Sequence, residues 1–224
     1  MPNATRRPSA PYTLALATSE SAPLSALTRR ERRDFGQLAH ETRRREWLAG
    51  RCAAKRAISA FRGVRGPLHH IELEPQAGGA PRCLVRDDVE RWTLAPLVLS
   101  IAHTHGVAIA AATSCSTRIG VDIERAGDID AHEYQYFLAP SELAYAQRLG
   151  VTLLWVLKEA LWKALGLSQA LAFKSVQLAF FHDTDTLAGA WVEGKWICAR
   201  ARRVRLATRP ELIAAVVTID EDVR

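Results

Sequence analysis

Five side chains between positions 119 and 163 carry most of the chemistry in this 224-residue sequence. Asp122 and Glu124 stand two apart in Ile119-Gly120-Val121-Asp122-Ile123-Glu124. Lys158, Glu159 and Lys163 fall within Trp155-Val156-Leu157-Lys158-Glu159-Ala160-Leu161-Trp162-Lys163. On an extended strand, alternation puts Asp122 and Glu124 on one face and Val121 and Ile123 on the other. Two carboxylates buried side by side are costly unless a positive charge answers them. Their hard oxygens suit Mg²⁺, which keeps part of its water and is commonly shared with substrate phosphates. The lysines suit an anion. The set reads as a site for a metal-bound diphosphate. A solvated strand end is the reading that the two strand acids, taken alone, also leave open.

The helix that follows is predicted over 152–165. At about 100° per residue, Leu154, Leu157, Leu161 and Leu165 form one apolar stripe. Glu159 and Lys163, four apart, stack on nearly the opposite side, and Lys158 and Trp162 flank the stripe. By themselves Glu159 and Lys163 equally describe an ordinary surface ion pair. A second line of charge runs through Arg44, Arg51, Lys55 and Arg62, beside the apolar Trp47, Ala54, Ile58 and Phe61. It is either a phosphate seat or a solvated face whose long stems cover apolar surface. His103 and His105 flank Thr104 at a predicted strand end, on one side by alternation. His103 is a candidate for a phosphate contact.

Positioning these groups requires strands and helices in a particular order. Residues 12–18 alternate as a strand, 25–40 and 41–61 read as helices, and strands are predicted at 70–73, 82–85, 97–103, 107–113 and 118–123. Helices at 140–149 and 152–165 follow, then strands at 175–182, 187–192, 196–200 and 213–219. Each half thus holds two helices, the second longer, and then a run of strands. The expected fold is α+β, with two similar α/β lobes in a pseudo-twofold arrangement and a cleft between them. The division expected is 1–105 for the basic N-terminal lobe and 106–224 for the lobe with the acidic motif.

Composition bounds the rest. Hydrophobic residues make up 48% of the chain, as in a folded soluble protein. No apolar run approaches the roughly 20 residues of a membrane span, and no secretion signal is read at the N-terminus. The four scattered cysteines lack C-x-x-C spacing, so free thiols in a reducing cytoplasm are expected. Residues 1–66 hold fourteen Lys and Arg against five Asp and Glu; that is +9 of the net +6, leaving −3 for the remainder. The imbalance favours an acidic partner or a polyphosphate ligand. Nucleic-acid binding would not account for the three acids. P-loop, G-x-G-x-x-G, H-E-x-x-H and G-x-S-x-G motifs are absent.

Taken together, the motifs resemble those of the 4′-phosphopantetheinyl transferases, in particular the single-chain, two-lobed type that activates peptide and polyketide synthetases. Gly120-Val121-Asp122-Ile123-Glu124 is similar to that family's G-[VI]-D-x-E strand, and Trp155, Lys158, Glu159 and Lys163 to its W-x-x-K-E-x-x-x-K helix. Phe137 with Ser141-Glu142 looks like the segment between them. Ser100-Ile101-Ala102-His103-Thr104 resembles the family's N-I-S-H-S strand, and Arg45 to Arg51 its first basic helix. Ala80 stands where the family often has lysine, and Ala102 and Thr104 where serines are common. The resemblance implies Mg²⁺ held by Asp122, Glu124 and Glu159. It implies coenzyme A as donor, with Arg44, Arg51, Lys55, His103, Lys158 and Lys163 toward it, and Glu159, Lys163 and Asp122 as the catalytic set. The implied acceptor is a serine of an apo acyl or peptidyl carrier protein of fatty-acid, polyketide or nonribosomal-peptide synthesis, the implied product 3′,5′-ADP. A cytoplasmic monomer that uses neither nucleic acid nor membrane is expected.

Overall fold

The chain opens with strand β1 (Tyr12–Thr18), followed by helices α1 (Arg29–Gln37) and α2 (Glu41–Arg62). Strands β2 (Ile71–Glu74), β3 (Arg82–Arg86), β4 (Trp92–Leu94), β5 (Leu97–Thr104) and β6 (Val107–Ser114) complete the first half. The second half has strand β7 (Thr117–Arg125), helices α3 (Tyr134–Phe137), α4 (Leu143–Leu149) and α5 (Val151–Leu165), and strands β8 (Val176–Phe180), β9 (Leu187–Val192), β10 (Lys195–Cys198), β11 (Arg200–Val204) and β12 (Leu212–Asp220). The structure is a computed structural model that describes residues 12–76, 80–87, 89–167, 173–181 and 184–220. Gly78 and Gly79, and the end of the strand expected through His182, lie outside the described residues.

Pairing repeats strand for strand. The order β1-β6-β5 in one half is matched by β7-β12-β11 in the other, and β2-β3-β4 by β8-β9-β10, all antiparallel. The repeating units are 12–114 and 117–220. Residue 105 lies in the tight turn that joins β5 to β6. The α+β class is as expected, with local differences. Helix 25–40 divides because Thr28 accepts from the Glu31 N–H and Glu31 accepts from the Thr28 N–H, a capping box that starts α1 late. The strand expected at 196–200 divides into β10 and β11, which belong to different sheets. The short β4 and α3 have no strong periodicity and were not expected.

Alternation along the strands builds the layers. On β6, Ala108, Ala110 and Ala112 face α2, with Ala49, Cys52, Ala53 and Ile58. Ile109 and Ala111 face the other way, onto Ile119, Val121 and Ile123 of β7 and Ala214 and Val216 of β12. The opposite face of β12, with Ala215 and Val217, packs against Leu154, Leu157, Ala160 and Leu161 of α5. The sequence is therefore helix, sheet, sheet, helix. Both long helices stop at a left-handed glycine, Gly63 (φ 66°) and Gly166 (φ 64°). No helix among the described residues is long and apolar enough to cross a membrane.

A buried charge pair also recurs. The Lys55 ammonium of α2 donates to the Ala26 carbonyl (2.7 Å) and to Glu31, which accepts from the backbone N–H groups of Thr28 (3.0 Å) and Leu73 (3.2 Å). The Lys158 ammonium of α5 donates to the Phe137 carbonyl (2.6 Å) and to Glu142 (2.6 Å), which accepts from the N–H groups of Ala139 (2.8 Å) and Leu178 (2.8 Å). In each half the carbonyl lies five residues, and the first N–H three residues, before the glutamate. The internal repeat thus extends from topology to individual hydrogen bonds.

Candidate active site

Strand β7 is an edge strand whose side chains alternate as expected: Ile119, Val121 and Ile123 enter the core between the sheets. Gly120, Asp122 and Glu124 take the other face, against α5. Gly120 makes that contact close. A Cβ there would lie 1.8 Å from the Ala160 carbonyl oxygen and 2.7 Å from the Ala164 nitrogen. Only a residue without a side chain lets α5 settle onto the strand.

With the helix so close, Lys163 reaches β7. Its ammonium donates to Asp122 Oδ1 (2.7 Å) and to the Val121 carbonyl (3.3 Å), and lies 3.9 Å from Glu159 Oε2. Strand β5 closes the site from the first half. The Ser100 hydroxyl accepts from the Val121 N–H (3.0 Å), and the Thr104 hydroxyl donates to Glu124 (3.2 Å). His103, beside it, lies 3.7 Å from Glu46 of α2 and favours the charged form of Asp122. His103 and His105, expected on one side by alternation, have different acidic partners. His105 occupies a left-handed turn (φ 45°), which breaks the alternation, and contacts Asp128 at 2.5 Å instead.

The acids are short of positive charge. Burial pushes the Asp122 carboxyl up from its ordinary range, with Lys163 opposing. Burial, reinforced by the charge of Asp122, pushes Glu124 up to about 7. Glu159 is raised by burial too; Lys163 opposes and Asp122 adds to the shift. Among the described residues, two buried side-chain polar atoms lack a hydrogen-bond partner: Asp122 Oδ2 and Arg51 Nε. One is an acceptor that a cation would satisfy, the other a donor that an anion would satisfy. No three His, Cys, Asp or Glu side chains among the described residues are gathered tightly enough to hold a metal ion as they stand. The chemistry of the donors nonetheless fits one: hard oxygens, an orphaned carboxylate oxygen, and acids raised by burial.

Arg51 is buried over the Trp47 ring (4.5 Å), and burial lowers its pKa. Arg44 donates to the carbonyls of Leu38 (2.5 Å) and Gly36 (3.5 Å), above the Phe35 ring. Two expected ligand contacts are not in this set. Lys55 and Lys158 are fully buried, each spent on its glutamate and carbonyl partners. Helical angle alone put them at the edge of the apolar face; partners contributed by distant segments carry them into the core. Ser100 and Thr104 stand in the strand similar to N-I-S-H-S, but no contact with β7 was read for them, and Glu46 was given no role from sequence. The Gly-x-Asp-x-Glu alternation was the available signal for the role of Gly120, since a small residue two before a buried acid marks a close approach.

Residues 118–216 match the family model of the 4′-phosphopantetheinyl transferase superfamily. The match covers less than half of the chain, and it is this segment that is similar to that superfamily. The matched range holds Asp122 and Glu124 of β7 and Glu159 and Lys163 of α5. Among curated proteins nothing matches the chain. A solved structure, the holo-[acyl-carrier-protein] synthase of Thermotoga maritima, is similar at 22% identity over 57% of this chain and 74% of that one, with a TM-score of 0.37. A likeness that loose places no residue of this site.

Proposed function

We propose that this transferase moves the 4′-phosphopantetheine group of coenzyme A onto a serine hydroxyl of an apo acyl or peptidyl carrier protein and releases 3′,5′-ADP. The observation that carries the reading is the orphaned Asp122 Oδ2 in a cluster of raised acids, set beside a lysine on the superfamily segment. Asp122, Glu124 and Glu159 would hold Mg²⁺, which when bound supplies positive charge against the donor's diphosphate. Glu159, made more basic by burial, accepts the serine proton. The serine oxygen bonds to the phosphorus of the phosphopantetheine, and the bond from that phosphorus to the bridging oxygen breaks. Lys163 Nζ stabilises or protonates the departing oxygen of 3′,5′-ADP. Arg44, Arg51 and His103 receive the 3′-phosphate and adenine end. In this division the first lobe holds the nucleotide and the second the metal and the chemistry.

The test is to weigh an apo carrier protein after incubation with the chain, coenzyme A and Mg²⁺. A gain of one phosphopantetheine is expected, and no gain across fatty-acid, polyketide and peptide carriers refutes the reading. Glu159→Gln and Asp122→Ala should each abolish transfer with the circular-dichroism spectrum retained. Full rates in both would remove the roles given to these acids.

A further inference from the structure

The recurring Lys–Glu pair stands where each lobe's functional side chains are oriented. In the second lobe, Lys158 is the residue before Glu159 on α5. Its bonds to Phe137 and Glu142, and Glu142's bond to the Leu178 N–H, tie α5 to the α3–α4 connection and to β8. Its position along and about its own axis is therefore fixed from one side by this pair and from the other by the Gly120 notch. Glu159 and Lys163 project between those two constraints. In the first lobe, Lys55 and Glu31 anchor the start of α1 to α2 and to β2. The rest of α1 and the turn after it embrace the arginines. Asp34 and Glu31 act on Arg51 electrostatically, Phe35 lies under Arg44 and 6.2 Å from Trp47, and the carbonyls of Gly36 and Leu38 accept from Arg44.

We propose that the two pairs are positioning devices with separate kinetic outputs. Glu142–Lys158 aligns Glu159 and Lys163 with Asp122, and so sets the rate of the chemical step. Glu31–Lys55 holds α1 around Arg44 and Arg51, and so sets affinity for the nucleotide end of the donor. The inference rests on the transferase reading for its kinetic form, but its structural content stands apart.

The experiment uses the full chain. Lys158→Met with Glu142→Gln removes one pair without leaving a buried charge alone, and Lys55→Met with Glu31→Gln removes the other. The second-lobe variant should lose about tenfold or more in kcat, with KM for coenzyme A changed by less than about threefold. The first-lobe variant should raise KM by about tenfold, with kcat changed by less than about threefold. A role confined to stability predicts the same kinetic change in both, through a smaller active fraction. Equal effects on one parameter, or wild-type kinetics in both, overturn the proposal. If the wild-type chain transfers nothing, the transferase reading has failed, and crystal structures of the same variants decide. The second-lobe variant must lose the 2.7 Å contact of Lys163 with Asp122 while the first-lobe variant keeps it. Retention in both overturns the proposal. Should a double variant not fold, Glu142→Asp and Glu31→Asp, which keep the charge and shorten the reach, carry the same comparison and the same expected split.

Discussion

Replacing Gly120 by alanine tests the packing on which the site depends. The added methyl carbon would sit 1.8 Å from the Ala160 carbonyl oxygen, where ordinary contact begins at 3.4 Å. All three obstructing atoms, this oxygen, the Ala160 carbonyl carbon and the Ala164 nitrogen, are helix backbone, which cannot swing aside as a side chain does. Helix α5 must withdraw from β7 by roughly 1.6 Å, or the strand must bend by as much. Withdrawal carries Lys163 and Glu159 with it, and the 2.7 Å bond of Lys163 to Asp122 lengthens beyond hydrogen-bond reach. Overpacking of this kind costs about 1–3 kcal/mol, or a fall in Tm of roughly 2–12 °C for a chain of this length. A displacement of about 1 Å in a catalytic group can cost on the order of 100-fold in rate. The assay is carrier modification followed by mass, with differential scanning calorimetry on the same samples. Gly66→Ala is the control: nothing stands within 4 Å of its Cβ position, so stability should hold or rise and the rate should not change. A Gly120→Ala protein with wild-type Tm and rate would refute the close-approach argument.

Three further outcomes are expected. Arg51→Lys keeps the charge but loses the guanidinium held over Trp47, so the dissociation constant for coenzyme A measured by calorimetry should rise roughly tenfold; an unchanged constant would take Arg51 out of the donor site. Glu124 titrates near 7 in the fold against an ordinary 4.5, so its contribution to stability is complete below pH 4.5 and is lost as pH rises through 7. In urea titrations of the metal-free protein, Glu124→Gln should flatten that decline, and an identical pH profile would contradict the raised value. Coenzyme A with Mg²⁺ should raise Tm more than the sum of either alone, because the diphosphate and the acids share the ion; Asp122→Ala should remove the excess, and simple additivity would count against a shared site.

Much of the architecture follows from local pattern. The alternation of 12–18 and 187–192, and the periodicity of 41–61 and 152–165, fall on β1, β9, α2 and α5 nearly residue for residue. Local pattern fails where a distant partner decides. Lys158 has the same helical angle whether it meets solvent or Glu142, and nothing within α5 reveals a glutamate sixteen residues earlier. The same holds for Lys55 and Glu31. Strand β4 is three exposed residues whose existence depends on pairing with β3. In the site, the alternation of Asp122 and Glu124 was legible because period-two geometry is local. The hydroxyls of Ser100 and Thr104 were not, since they reach β7 only when two sheet edges meet.

The seam between the two central sheets has a consequence for dissection of the gene. Ile109 and Ala111 are fully sheltered only because Val121, Ile123, Ala214 and Val216 lie opposite. Cutting between β6 and β7 would strip both pieces of that shelter and bare a continuous oily sheet on each. Either piece expressed by itself should aggregate, or seek a second copy of itself, whereas co-expression of the two should restore a soluble pair. A heated intact chain should for the same reason melt in one step.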